Sequence, residues 1–456
     1  MQATDTIVAL STPPGRGGIG VIRISGQHAL PLARRLLRDE SFAPEPNRVA
    51  LRNIYDEGSE AQVIDRALVT YFKAPHSFTG EDVLELSCHG SPTLLLHILD
   101  RLLNEGARAA DPGEFTLRAL SNGRLNLSQA EAIRDLIDAQ TYAAVRQAAR
   151  QLGGELSARL KPVKSALLEI IVPLESSLEF VEDDLPEDVT RQVGEKLSEL
   201  ARRVDTLAQT FRAGRLLKEG LKVTLAGRPN VGKSSVFNRL LAADRAIVTD
   251  VPGTTRDSLS EVLSLDGVPV LLTDTAGVRA SGDQIEQLGI ERTRRAIVDA
   301  DLVVVILDGS QPLTKEDEEV LDQTAASRHL IALNKSDLAT FDLAHVSART
   351  NGSPLVPVSA KTGAGLERLC AAIMEPFVNR ETHETGFLIT NARHFDLLRR
   401  TAEALRRSED LVRQRASEEL LLVGLYDALR FLGEITGETT PDDVLTQIFS
   451  TFCIGK

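Results

Sequence analysis

"KVTLAGRPNVGKSSVFNRLL", residues 222 to 241, decides how this chain is read. A short apolar run meets a loop bounded by glycines, and a helix-compatible stretch follows. The loop satisfies G-x-x-x-x-G-K-S in the strand–loop–helix setting that this pattern needs if it is to hold phosphate. Gly227 and Gly232 permit tight turns and close backbone approach. Backbone N–H groups and a helix N-terminus then meet phosphate oxygens, and Lys233 adds a compact positive charge. Asn230, Val231, Gly232, Lys233, Ser234 and Ser235 are the candidate phosphate-binding residues, with the Ser234 hydroxyl placed for Mg²⁺.

Three stretches downstream choose the nucleotide. "DTAG" (Asp274, Thr275, Ala276, Gly277) follows a strand pattern, as a carboxylate near Mg²⁺ and a glycine amide near a γ-phosphate require. "NKSD" supplies Asn334, Lys335 and Asp337, and an Asp337 carboxylate can accept from guanine N1–H and its 2-amino group. Adenine offers no such pair of donors. "SAK" (Ser359, Ala360, Lys361) can offer a backbone N–H to the guanine carbonyl. Each motif is short, but four in this order at strand ends resemble the Ras-like GTPases across residues 220 to 375, and GTP is the expected nucleotide. Where such switches often carry a water-orienting glutamine, this chain has Val278. Something else must place the water. Asn230 could hold a monovalent cation, and so could "TDVPGTTRD" at 249 to 257, although read alone that stretch is at least as readily a solvated loop.

Around this segment the texture changes. "KVTLA", "VPVLLTD", "LVVVILD", "HLIALN" and "LVPVS" alternate with helical stretches, which predicts a parallel-rich α/β sheet. Asp266-Gly267 lies between two strand-like runs and predicts a hairpin with an antiparallel edge strand. Residues 1 to about 118 mix short β-rich runs with Gly/Pro turns and read as α+β. Helical patterns fill 119–215 and 379–456, so the α/β segment, 216–378, reads as an insertion in a helical domain. Ser128 and Glu131 suggest a capping box, with the helical run ending at Gly153-Gly154.

The 456 residues are 42% hydrophobic, enough for several cores, and a net charge of −13 argues against a broad grip on nucleic acid. Three scattered cysteines, Cys88, Cys370 and Cys453, suit a reducing cytosol better than a disulfide framework. The longest apolar runs are too short for a membrane span, and no leader pattern opens the chain. A cytoplasmic protein without membrane attachment is expected.

"GRPNVGKSS", "TDVPGTTRD" and "DTAG" together resemble the MnmE (TrmE) group of tRNA-modifying GTPases. The resemblance extends to "DTIVALSTPPGRGGIGVIRISG" at the start, to "SFTGEDVLELSCHG" and "PGEFTLRAL", and to "FCIGK" at the end. It implies a multidomain α/β protein with an N-terminal, dimer-forming tetrahydrofolate-binding domain, a helical domain and an inserted Ras-like G domain. It also implies a potassium-stimulated GTPase that acts as a homodimer and assembles with an FAD-dependent partner, MnmG, as a heterotetramer. Together they add a carboxymethylaminomethyl or aminomethyl group to carbon 5 of the wobble uridine of certain tRNAs. The one-carbon donor would be 5-formyltetrahydrofolate or 5,10-methylenetetrahydrofolate.

Carried over by position, Asn230, Thr249, Val251 (through its carbonyl) and Thr254 would bind K⁺, and Ser234 and Thr255 would bind Mg²⁺. Asp250, Pro252 and Gly253 complete that switch in the GTP site. Glu286 in "DQIEQLGIER" would organise the catalytic water. Arg23, Glu85, Arg124 and Lys456 would bind folate, with Arg124 standing where a lysine is frequent, and Cys453 would face the one-carbon chemistry. Without the resemblance, Arg23 and Glu85 are ordinary strand charges and the tail is a fraying end. "TTPDDVLTQIFS" before it reads as a helix with Thr440 as N-cap and Pro441 at its first position.

Two signals carry less. "GRGGIG" at 15–20 fits a dinucleotide fingerprint, but a strand pattern follows where a helix is required. Cys88-His89 lacks a second pair for zinc and reads as a buried thiol beside a histidine. A second functional class, a regulatory GTPase of the ribosome-assembly kind, shares the nucleotide motifs. It lacks a reason for the folate-like N-terminal region and the "CIGK" end.

Overall fold

The computed structural model describes residues 5–58, 62–179, 187–243, 259–274, 294–343, 346, 352–377, 386–438 and 442–455. They divide into two compact units. One comprises residues 1–134, 151–158 and 432–456, and the other 135–150 and 159–431.

In the first unit, a six-stranded sheet has the order β3-β4-β5-β2-β1-β6. The strands are β1 (Ile7–Leu10), β2 (Ile19–Ser25), β3 (Val49–Tyr55), β4 (Val63–Phe72), β5 (Val83–His89) and β6 (Arg108–Ala109). All pair antiparallel except β1 with β6. Burial alternates along β2, β4 and β5, because successive side chains point to opposite faces. Ile22, Ile24, Val69, Leu84, Leu86 and Cys88 face one core, packed under helices Ala29–Leu37 and Pro92–Asn104. The residues between them, Arg23 and Glu85 included, are left on the other face. The glycine-rich stretch leads into β2 and opens no helix, as the strand pattern after it required. Cys88 is buried, which pushes its thiol up to about 12, and His89 holds the Asp65 carboxylate at 2.5 Å.

The helix Leu127–Asp138 corrects the capping assignment. Asn126 Oδ1 accepts from the Gln129 N–H at 3.0 Å, and Gln129 Oε1 accepts from the Asn126 N–H at 3.1 Å. The box therefore sits two residues earlier than Ser128/Glu131, because an asparagine followed three positions later by glutamine satisfies the same two donors. Ser128 lies inside the helix and donates to Asn126 Oδ1. The run is also broken before Gly153: a second helix, Tyr142–Leu152, starts after Thr141, whose hydroxyl oxygen accepts from the Ala144 N–H.

The second unit contains another six-stranded sheet, of order β12-β11-β10-β7-β9-β8. Its members are β7 (Leu221–Ala226), β8 (Leu259–Leu265), β9 (Val268–Asp274), β10 (Leu302–Asp308), β11 (His329–Asn334) and β12 (Leu355–Pro357). Every pairing is parallel except β8 with β9, the edge hairpin expected from Asp266-Gly267. Both turn residues have positive φ, 51° and 85°, which asparagine-like residues and glycine tolerate at a tight hairpin. All of β10 is buried. Leu302, Val304 and Ile306 enter one core, while Val303, Val305 and Leu307 enter the other, so both faces are covered. Long helices Glu187–Gln209 and Ala392–Arg413 pack along each other in the same unit. Among the described residues, no helix is long and apolar enough to cross a membrane.

Candidate functional site

Parallel strands direct their C-terminal ends, and the loops that follow, to one edge of the sheet, where ligands of such folds sit. After β7 the loop 227–232 turns into helix Lys233–Ala243. Gly227 has φ 150°, and a Cβ there would lie 2.4 Å from the Ile306 carbonyl oxygen. At Gly232, φ is 100° and a Cβ would meet Asn334 Nδ2 at 2.3 Å. Only glycine fits either position. Asn230 is exposed at φ 64°, and its amide makes no hydrogen bond among the described residues. Lys233 is 7% exposed, and its ammonium donates to the carbonyls of Gly227 (2.7 Å) and Arg228 (2.9 Å), so the charge is held inside the loop. Val231 is buried beneath it, and Ser235 is exposed on the helix.

Ser234 Oγ donates to Asp274 Oδ2 at 2.8 Å. A hydroxyl and a buried carboxylate side by side form a hard-oxygen set that suits Mg²⁺. The base-selecting loops are tied to the phosphate loop through Asn334. Its Nδ2 donates to the Val231 carbonyl at 2.8 Å, and its Oδ1 accepts from the Ala360 N–H at 3.0 Å. Asp337 Oδ1 accepts from Ser359 Oγ at 2.7 Å. That hydrogen bond holds the Asp337 carboxyl below its ordinary range, helped by the charge of Lys361.

Asp308, Arg228 and Asp317 escaped the sequence reading, although Lys335, which holds Asp308, did not. Lys335, at φ 67°, donates to Asp308 Oδ2 at 2.5 Å. Burial raises the Asp308 carboxyl, but hydrogen bonds from Lys335 and Ser310 outweigh it and hold the group low. Arg228 pairs with Asp317 at 3.0 Å, and Asp317 also closes a capping box with Thr314 at helix Lys315–Thr324. A buried acid ending "LVVVILD" was a readable hint for Asp308. For the Arg228–Asp317 pair, separated by 89 positions, no local signal exists. Thr249, Asp250, Val251, Pro252, Gly253, Thr254, Thr255, Thr275, Ala276, Gly277, Val278 and Glu286 lie outside the described residues, as do Thr440, Pro441 and Lys456.

The first unit assembles a different group. Arg23 and Glu85 are cross-strand partners on β2 and β5. Arg23 Nε and Nη2 reach Glu85 Oε1 at 2.9 and 2.8 Å, so both guanidinium contacts fall on one carboxylate oxygen. The Arg23 guanidinium also faces the rings of Phe78 and Phe115. Helix Asp442–Phe449 ends in a tail that returns to this pair. Phe449 and Phe452 are buried with Leu127 and Ala130, and the Gly113 N–H donates to the Cys453 carbonyl at 3.3 Å. The Gly455 carbonyl accepts from Arg23 Nη1 at 3.1 Å. The Cys453 thiol is exposed. Arg124 is exposed in the turn after helix Glu114–Ser121, its side chain against Gly80. No hydrogen bond joins it to Arg23 or Glu85 among the described residues.

Comparison with known proteins bears on both units. A family model described as GTP-binding protein TrmE N-terminus matches residues 6–124, and one described as the MnmE helical domain matches 127–453. The tRNA modification GTPase MnmE of Koribacter versatilis is 44% identical over 459 residues, covering all of both chains. Its counterpart from Aquifex aeolicus is 40% identical, covering 99% of this chain and all of the relative. Among solved structures, the G domain of the T. maritima FeoB iron transporter is 28% identical, covers 34% of this chain and 97% of its own, and has a TM-score of 0.27. With both family models matched in order and full-length relatives sharing two residues in five, the chain belongs to the family of tRNA modification GTPases named MnmE.

Proposed function

We propose that this GTP hydrolase is potassium-stimulated and acts in the cytoplasm, as a homodimer assembled with an FAD-dependent MnmG partner. The pair adds a carboxymethylaminomethyl or aminomethyl group to carbon 5 of the wobble uridine of certain tRNAs. The observation that carries the reading is the return of the chain's own end to the Arg23–Glu85 pair. A tail anchored on a paired arginine and carboxylate is a costly arrangement for a protein that only times binding. It is an understandable one for a protein that builds a second reaction site. The net charge of −13 supports a partner that supplies most of the affinity for tRNA.

In the G domain, Gly227 and Gly232 let the loop backbone close on phosphate, and Lys233 contributes charge. Asp337 and Ser359 select guanine. Ser234 and Asp274 would hold Mg²⁺, with Thr255, and that ion supplies Lewis-acid polarisation when bound. Asn230 presents an uncommitted amide oxygen at the loop and would hold K⁺ with Thr249, Val251 and Thr254. Positive charge there would stabilise the developing phosphoryl charge in place of an arginine finger. Glu286 orients the water that no glutamine at 278 can orient. In the first unit, Glu85 would accept the paired donors of a pterin ring, Arg23 orients that carboxylate, and Arg124 and Lys456 would add charge for the glutamate tail. A reduced folate would supply the one-carbon unit when bound, and the Cys453 thiol would serve as proton-transfer or nucleophilic group.

GTP turnover is expected to be many-fold faster in potassium chloride than in sodium chloride at equal ionic strength, and Asn230→Ala to erase the difference. Steady-state phosphate release in the two salts measures this. Equal rates for the unaltered chain would sink the cation reading.

A further inference from the structure

We propose that the Gly455 carbonyl is a latch, received jointly by Ser11 and Arg23, which couples docking of the C-terminal tail to occupancy of the Glu85 site, with Ser11 as a positioning residue. The coupling rests on the folate reading above. Docking of the tail does not.

Three observations place the latch. Ser11 Oγ donates to the Gly455 carbonyl at 3.2 Å, and Arg23 Nη1 donates to the same oxygen at 3.1 Å. Ser11 is itself fixed, since its N–H donates to the Val21 carbonyl at 2.7 Å. Gly455 adopts φ 92°, and a Cβ there would lie 2.7 Å from the Leu10 carbonyl oxygen and 3.0 Å from Ser11 Cα. The end of β1 therefore forms a slot that only glycine enters. Upstream, the Gly113 N–H holds the Cys453 carbonyl, so the thiol sits between two backbone anchors. One guanidinium spans both halves of the arrangement: it orients Glu85 through Nε and Nη2 and holds the tail through Nη1. A ligand that fixes Glu85 fixes Arg23, and with it the tail. By linkage, a docked tail must strengthen that ligand's binding by the same factor.

The full chain is tested with 5-formyltetrahydrofolate as ligand and carboxypeptidase B as probe of the tail, loss of Lys456 being read by intact mass. Cleavage of the Gly455–Lys456 bond needs the Gly455 carbonyl, which Ser11 and Arg23 hold in the docked tail. Gly455→Ala should raise the trimming rate about tenfold, since φ and close contact both oppose the side chain, and weaken folate binding by a similar factor. Ser11→Ala should change both by about fivefold, the loss of one neutral hydrogen bond, and Ser11→Thr should restore both. A variant that merely misfolded would not be rescued by a hydroxyl. Wild-type trimming rates in Gly455→Ala would overturn the latch. Faster trimming with unchanged folate affinity would overturn the coupling. Absence of folate binding by the unaltered chain would defeat the folate reading and the coupling with it, while the trimming rates still decide whether the latch exists.

Discussion

Gly232→Ala is expected to lower GTP affinity by about a thousandfold, or ~4 kcal/mol, the sum of a strained backbone and the lost Asn334 bridge. The residue has φ 100°, and an added Cβ would come within 2.3 Å of Asn334 Nδ2. That amide holds the phosphate loop to the base-selecting loop, through the Val231 carbonyl on one side and the Ala360 N–H on the other. Displacing it therefore disturbs phosphate and guanine recognition together. Titration with a fluorescent GTP analogue measures the loss. In a double-mutant cycle, Asn334→Gly added to Gly232→Ala should cost much less than the sum of the single changes, because the two share one contact. An affinity within tenfold of the unaltered protein would mean that the loop opens freely and that Asn334 is no bridge.

Removing Cys453 to Lys456 is expected to leave GTP binding intact, weaken 5-formyltetrahydrofolate binding and abolish tRNA modification. The tail and the nucleotide residues lie in different compact units, so the G domain keeps every contact described for it. The first unit loses the Gly455 carbonyl from Arg23 and the only exposed cysteine among the described residues. Reconstitution with the partner, tRNA and folate, followed by nucleoside analysis, reads the outcome. Full modification by the truncated chain would show the tail to be dispensable.

Much of the G domain was legible because its signals are local. Asp266-Gly267 announces a tight hairpin through residues that accept positive φ, and β8 pairs antiparallel with β9 as expected. The glycines, Lys233, Ser234 and the base-selecting motifs each follow a strand, so the sheet brings them to one edge without further information. What stayed hidden depends on distance along the chain. Asn334 meets Val231 across 103 positions, and Gly455 meets Arg23 across 432. The capping box was misplaced for a different reason. Ser128 and Asn126 both begin acceptable patterns, and the competition is decided by which backbone donors remain unpaired once the helix forms.

One chain both hydrolyses GTP and takes part in changing a tRNA base. Mass spectrometry of wobble uridine, in tRNA from bacterial cells that lack their own MnmE and are supplied with this chain, tests this. The 5-carboxymethylaminomethyl or 5-aminomethyl nucleoside should return with the unaltered protein and stay absent with the tail deletion, although the truncated protein still binds GTP. Unmodified uridine in cells carrying the full-length, GTP-hydrolysing chain would contradict the account.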